Sequence, residues 1–162
     1  MRKIVLIIVL ASFVGCSFEN PTEFTEESLT EEFITLTDER VTIGDILSKY
    51  KGKKILVDIW ASWCRDCIVG LPNLKEFQKE NPDVVYLFLS LDKNTKNWKR
   101  AIDRLGIEGE HFFMQAGKKG KFGKFLNVWW VPRYVVLNEK GGIVLYKATE
   151  ITDKNIVEAL KK

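Results

Sequence analysis

Histidine is nearly absent from this chain, and cysteine, methionine and proline are scarce: 162 residues include one His, three Cys, two Met and four Pro. His111 is the sole imidazole, so a zinc site built on cysteine and histidine finds no second ligand pair. A lone histidine of this kind reads as a surface or packing residue. Three cysteines are too few for a disulfide-stapled scaffold, and each needs its own explanation. Charge of one sign is missing as well. With 25 Lys+Arg against 22 Asp+Glu the net is +3, too balanced for a nucleic-acid partner held by bulk electrostatics. Nowhere does an apolar run reach the roughly 20 residues that cross a bilayer. Internal repeats are lacking, and the length suits one ordinary domain with a short tail rather than two.

What is present begins with material for a core. Hydrophobic residues at 46% and aromatics at 12%, against 29% charged, argue for one packed unit and against disorder. The first 15 residues stand apart. Arg2 and Lys3 precede an unbroken apolar run over 4–10, and Ala11, Ser12 and Gly15 supply the small residues of a cleavage region, so 1–15 reads as an export signal peptide. Cys16 follows Gly15 directly in FVGCS, which resembles the lipobox of bacterial lipoproteins, although Phe13 stands where that motif usually has Leu. The resemblance implies an acylated Cys16 as mature N-terminus, and with it an extracytoplasmic protein of the bacterial cell envelope, lipid-anchored to a membrane. A plain signal peptide, or an N-terminal membrane anchor, with a chance cysteine nearby is the alternative. Taking Arg2 and Lys3 from the 25 basic residues leaves 23 against 22 acidic ones, a near-neutral mature chain. Residues 16–32 then form a lipidated N-terminus and an acidic tether. Glu19, Glu23, Glu26, Glu27, Glu31 and Glu32 lack apolar periodicity there, and a flexible coil of this length spans roughly 20 to 25 Å. Short acidic helices are the other reading.

From residue 33 onward strand and helix signals alternate. Phe33, Ile34, Leu36, Val41 and Ile43 flank the turn-like Asp38-Glu39 and predict an irregular hairpin. Residues 55–60 are apolar throughout except for Asp58, the pattern of a strand covered on both faces. Cys67, Leu71, Leu74 and Phe77 recur at helical spacing with Pro72 inside, and 84–91 predicts a second buried strand. Asn94 or Thr95 can cap a helix carrying Trp98, Ile102 and Leu105, with Gly106 at its C-terminal cap. Residues 107–127 are rich in Gly and Lys. Strands at 134–137 and 143–146 then flank a Gly141-Gly142 turn, and Thr152 opens a last helix with Ile156, Val157 and Leu160 on one face. The order β-α-β-α-β-β-α predicts an α/β domain over 33–162, a mixed central sheet with helices on both faces and the hairpin as an N-terminal extension.

Chemistry concentrates in DIWASWCRDCIVGLP. Cys64 and Cys67 are spaced C-x-x-C where a strand gives way to a helix, a redox signature in that context. Unpaired N–H groups and the macrodipole at a helix N-terminus stabilise a thiolate at Cys64, and Cys67 one turn inward is placed to resolve a mixed disulfide. Asp58 in the middle of an apolar strand needs an explanation, because an unpaired buried carboxylate is costly; an edge position facing solvent is the bland one.

ILVDIWASWC followed by RDC, with Pro72 five residues beyond Cys67, resembles the active site of the thioredoxin superfamily. The leader, the acidic stretch and the hairpin FITLTDERVTIGDIL make the chain more similar to TlpA/ResA-like membrane-anchored thiol-disulfide oxidoreductases. The resemblance implies a thioredoxin fold, with Cys64 as nucleophile, Cys67 as resolving thiol, Trp63 packed beside the pair and Asp58 as a buried acid relaying a proton at Cys67. In WWVPRYVVL, Val131-Pro132 matches the cis-proline loop whose preceding backbone binds a substrate segment in extended form. No cofactor and no metal are implied. The implied partners are exported proteins carrying thiols or disulfides, apocytochrome c among them, and a membrane thiol-reducing electron donor. The expected direction is reducing.

Three features depart from the family pattern or stay open. Arg65-Asp66 replaces pairs that often end in Pro and sets a cation beside an anion, so the potential is not readable. Potentials in the superfamily span roughly 150 mV, about 7 kcal/mol for two electrons. Trp129 and Trp130 suit either a substrate surface or the core, and Lys118, Lys119, Lys121 and Lys124 either an acidic or lipid partner or a solvated loop. A c-type haem site needs His after the second cysteine, where Ile68 stands, and the missing Pro and Thr before Cys64 argue against a peroxidatic cysteine. A Cu(I) carrier using Cys64 and Cys67 is the best non-enzymatic alternative.

Overall fold

The computed structural model describes residues 20–162. The expectations for 1–19, the signal peptide and the lipidated Cys16 among them, lie outside the described residues. A short helix α1 (Glu26–Leu29) precedes the hairpin strands β1 (Glu32–Ile34) and β2 (Arg40–Thr42), which are joined through Asp38 at φ 64°. Helix α2 (Ile43–Lys49) begins at once, where Thr42 Oγ1 accepts from Asp45 N at 3.1 Å; Ile43 is therefore helical and buried rather than part of the hairpin.

The centre of the fold is β3 (Ile55–Trp60), α3 (Arg65–Glu80), β4 (Val85–Ser90) and α4 (Thr95–Leu105). All six positions of β3 are buried, so both faces of the sheet are covered there. Asn94 caps α4, Gly106 closes it at φ 55°, and Trp98 is fully buried beneath it. After these come β5 (Glu110–Phe113), a 3-10 turn (Gly117–Lys119), α5 (Lys121–Phe125), β6 (Arg133–Leu137), β7 (Ile143–Ala148) and α6 (Lys154–Leu160). Asp153, one residue after Thr152, is the N-cap of α6. The strands form one seven-stranded sheet in the order β2-β1-β5-β4-β3-β6-β7. Strands β3, β4 and β5 are parallel, while β6 runs antiparallel to β3 and β1 antiparallel to β5. The expected mixed sheet and hairpin extension are both present.

Two stretches differ from the sequence expectation. Strand β5 and helix α5 lie inside the Gly- and Lys-rich stretch 107–127, read only as a change of rhythm. Strand β5 has four residues, and pairing with β4 and β1 makes it a strand more than any local alternation does. Gly109 before it, at φ 142°, has no room for a Cβ, which would sit 2.7 Å from the Phe88 ring and 2.8 Å from Tyr86 O.

The stretch 20–32, expected as a solvated tether, instead packs on the domain. Phe24 stacks on Phe122 at 5.6 Å, Ile143 N donates to Thr22 O at 2.7 Å, and Ser28 and Glu31 are buried. Glu31 Oε2 accepts from Phe122 N at 2.7 Å, joining the segment to α5. Burial raises the Glu31 pKa, partly offset by the hydrogen bond from Phe122 N–H. A Cβ at Gly120 would collide with this carboxylate and push it off the Phe122 N–H. Glu31→Ala leaves the Phe122 N–H without its charged acceptor and is expected to lower stability by about 2 kcal/mol in urea unfolding, whereas Glu31→Gln, which keeps an acceptor, is expected to lose less.

Candidate active site

Strand β3 ends at Trp60, and four residues carry the chain to the first turn of α3. Cys64 is the N-cap of that helix, and Cys67 N donates to Cys64 Sγ at 3.0 Å. The two cysteines form a disulfide with their Cα atoms 5.3 Å apart, and both are buried. A 16-residue helix behind Cys64 directs its N-terminal field and a backbone N–H at that sulfur, so in the dithiol form a thiolate is favoured at Cys64 over Cys67.

The turn before the cysteines is held by a carboxylate that sequence reasoning passed over. Buried Asp92, just past β4, accepts from Ser62 N at 3.0 Å, from the Ser62 hydroxyl, and from Ser90 Oγ at 2.8 Å. This network ties the segment leading into Cys64 to the end of the neighbouring strand. Its only sequence signal was an Asp directly after an apolar run.

Opposite the disulfide, the Val131–Pro132 peptide bond is cis and Val131 O lies 3.5 Å from Cys64 Sγ. Strand β6 begins at the next residue, Arg133, which is buried although cationic. Its Nη2 donates to Leu126 O at 2.7 Å and Tyr146 O at 2.9 Å, and its guanidinium lies 4.9 Å from the Tyr146 ring centroid. Burial lowers the Arg133 pKa, with Tyr146 acting in the opposite sense. Arg133 thereby braces the loop that carries Trp129, Trp130 and Val131 against β7, a role the sequence reading missed.

Asp58 sits at the centre of the sheet, opposite Phe88 on β4 and Tyr134 on β6, and is only 4% exposed. The edge position facing solvent does not apply. Asp58 Oδ1 has no hydrogen-bond partner, and desolvation pushes its pKa up to about 8. Burial, and secondarily the Asp58 charge, raise the Tyr134 pKa too. Moving along the β3–β6 ladder from the Asp58–Tyr134 pair, Ile59 faces Arg133, so one further step leads to Trp60 and Pro132, at the end of the sheet where the disulfide lies.

Trp63 is 59% exposed next to Cys64, and Trp129 and Trp130 are exposed rather than in the core. His111, by contrast, is a packing residue: it is buried, stacks on Phe88 at 5.0 Å, and its Nε2 lies 2.9 Å from Ile107 O. Burial lowers its pKa.

Comparison with known proteins agrees with this architecture. The family described as Redoxin matches residues 45–160. The thioredoxin-like protein YneN of Bacillus subtilis is 28% identical over 96% of this chain and 94% of its own length. The thiol-disulfide oxidoreductase ResA of Bacillus cereus is 20% identical, covering 99% of this chain and 94% of ResA. Among solved structures, the thioredoxin domain of a thiol-disulfide oxidoreductase from Bacteroides vulgatus superposes with a TM-score of 0.65, at 20% identity over 86% of this chain and 97% of that one, and shares the fold. With its paired cysteines capping a helix beneath a cis-proline loop, the chain belongs to the Redoxin family and is a thiol-disulfide oxidoreductase of the thioredoxin type.

Proposed function

We propose that this protein, held outside the cytoplasm by a lipidated Cys16, reduces disulfides in exported cysteine proteins, apocytochrome c being one candidate, and is recharged by a membrane thiol donor. The observation that carries the reading is the disulfide at the N-terminus of α3 with the Val131 carbonyl 3.5 Å from Cys64 Sγ, which joins a nucleophile to a backbone able to pair with an extended substrate segment.

In the forward direction the Cys64 thiolate attacks one sulfur of the partner's disulfide and releases the other as a thiolate, which takes a proton. The Cys67 thiol then passes its proton to Asp58 in its carboxylate form, the minor form at neutral pH, and attacks Cys64 Sγ, expelling the partner's second sulfur, which takes up the proton that Asp58 received. Two electrons leave the protein, the partner gains two thiols, and Cys64 and Cys67 are joined. Burial pushes the Asp58 pKa up to about 8, out of the ordinary carboxylate range and towards that of a thiol, which brings the two groups closer in proton affinity. Trp63, Val131 and Pro132 bind the substrate segment in this scheme.

Two measurements test the reading together: the reduction potential of the Cys64–Cys67 couple against glutathione, and catalytic reduction of insulin by the dithiol protein. The expected results are a potential on the reducing side of the glutathione couple and insulin turnover that requires both cysteines. A protein that leaves insulin untouched and binds Cu(I) tightly through the same two thiols overturns it in favour of a metal carrier.

Anchoring has its own test. Cys16→Ala is expected to move the protein from the membrane fraction to soluble or unprocessed forms. A mature wild-type N-terminus without acyl mass at Cys16 refutes lipidation.

A further inference from the structure

Among the described residues six large apolar side chains are exposed, and four of them gather around the disulfide: Trp63, Val69, Trp129 at 80% and Trp130 at 65% exposure. Trp129 and Trp130 stand between two clefts. One, of about 310 Å³, is walled by Trp63, Val131, Lys118 and Lys119; the other, of about 420 Å³, by Val69, Asp66 and Pro132. Leaving three indoles in water is unfavourable by the area rule and serves nothing in the core.

The loop that carries Trp129 and Trp130 is nonetheless braced. Trp129 Nε1 donates to Asn127 Oδ1, Asn127 itself adopts φ 51°, and the loop behind is held by Arg133 to Leu126 O and by the Tyr146 hydroxyl to Phe125 O. Exposed aromatics on a braced loop are pre-organised for a partner rather than left over from packing. Charge then selects the partner. Lys118 and Lys119 take part in none of the ion pairs among the described residues.

We propose that Trp129 and Trp130, together with Lys118 and Lys119, form a specificity surface for an extended polypeptide segment that carries an aromatic or bulky apolar residue and an acidic residue close to its reactive cysteine. The inference rests on the proposed disulfide reduction and names its substrate class. The segment's cysteine sits over Cys64, its apolar side chain lies against the indoles, and its carboxylate meets the lysine side of the smaller cleft. A polypeptide is favoured over a lipid surface because the patch encloses the disulfide, which a bilayer lying on the same residues would cover.

The test uses the full-length dithiol protein and synthetic peptides with one disulfide, flanked by Trp-Asp, Trp-Lys or Ser-Ser. The Trp-Asp peptide is expected to show a kcat/KM at least tenfold above Ser-Ser, a step of the size that one apolar contact gives, and above Trp-Lys at low salt. The advantage over Trp-Lys should shrink at about 0.5 M salt, where the Debye length falls to roughly 4 Å. Trp129→Ala with Trp130→Ala should erase the aromatic preference through KM, and Lys118→Glu with Lys119→Glu should reverse the charge preference, while the potential against glutathione stays that of the parent. Equal kcat/KM for all three peptides overturns this inference and leaves disulfide reduction standing; no reduction of any peptide or of insulin removes the proposed function itself. Charge-dependent binding of the Cys16→Ala chain to phosphatidylglycerol vesicles, lost in the lysine variant and unaccompanied by peptide discrimination, overturns it in favour of a lipid surface.

Discussion

Cys67→Ser is expected to accumulate mixed disulfides through Cys64 in the exported compartment, and Cys64→Ser to capture few or none. The asymmetry follows from the two positions. Cys64 caps α3 and receives the Cys67 N–H, whereas Cys67 lies inside the helix, in its first turn. In the dithiol protein the field at the α3 N-terminus should favour the thiolate at Cys64, so alkylation labels Cys64 first. Removing Cys67 deletes the group that expels a bound partner, and the covalent complex persists through non-reducing electrophoresis. Loss of insulin reduction in either single variant should be close to complete, because the exchange needs both sulfurs. An empty Cys67→Ser trap, with insulin untouched by the parent, sinks the oxidoreductase mechanism.

The second large effect is at Asp58. With desolvation raising its pKa to about 8 from an unfolded value near 3.8, the folded protein holds a proton between those two pH values that the unfolded chain has released. Stability therefore falls as pH rises through that window and levels off above about pH 8. The slope inside the window is about 1.4 kcal/mol for each step of one in pH, so the loss from pH 4 to pH 9 is roughly 5 kcal/mol, a large part of a typical domain's stability. Asp58→Asn cannot ionise and should show no such slope, becoming the more stable of the two in urea titrations at pH 8 to 9. Its disulfide-reduction rate should nevertheless drop by about 10²-fold, the scale of a lost general acid–base group, with the deficit greatest near neutral pH. Parallel stability profiles would show that Asp58 does not titrate in this way, and unchanged rates from pH 6 to 9 would remove it from the proton path.

Both effects fall on residues that the sequence already singles out, and the reason is physical. The C-x-x-C pair, the apolar run ending just before it and the helical spacing after it lie within about two dozen residues, so chain-local rules place Cys64 at a helix start. Asp58 stood out because its neighbours on both sides are apolar. The Gly106 cap of α4 was equally local, and its N-cap was narrowed to Asn94 or Thr95, of which the structure uses Asn94.

Other parts were hidden because their partners are far along the chain. Glu31 looked like one more acid in a polar stretch, and its partner Phe122 N is 91 residues away. Asp92 and Ser62 are 30 residues apart, so nothing near either one signalled the brace on the active-site turn. The stretch around Phe24 lacks periodicity since its contacts are with the rings of Phe122 and Phe125 on α5. Two adjacent tryptophans have no period to assign them to a face, and only the loop braced by Arg133 decides that both point to solvent.

From the sequence came the C-x-x-C pair at a helix start, the acid inside an apolar strand and the mixed sheet, all set by short-range signals: apolar runs, helical spacing and helix-end chemistry. The proline opposite the pair came from the resemblance to the thioredoxin superfamily. Only the tertiary structure decided that burial raises the Asp58 pKa, that Asp92 holds the turn before Cys64, that residues 20–32 pack on the domain, and that Trp129 and Trp130 are exposed. Desolvation and long-range pairing depend on atoms brought together from distant parts of the chain, and no window of local sequence contains them.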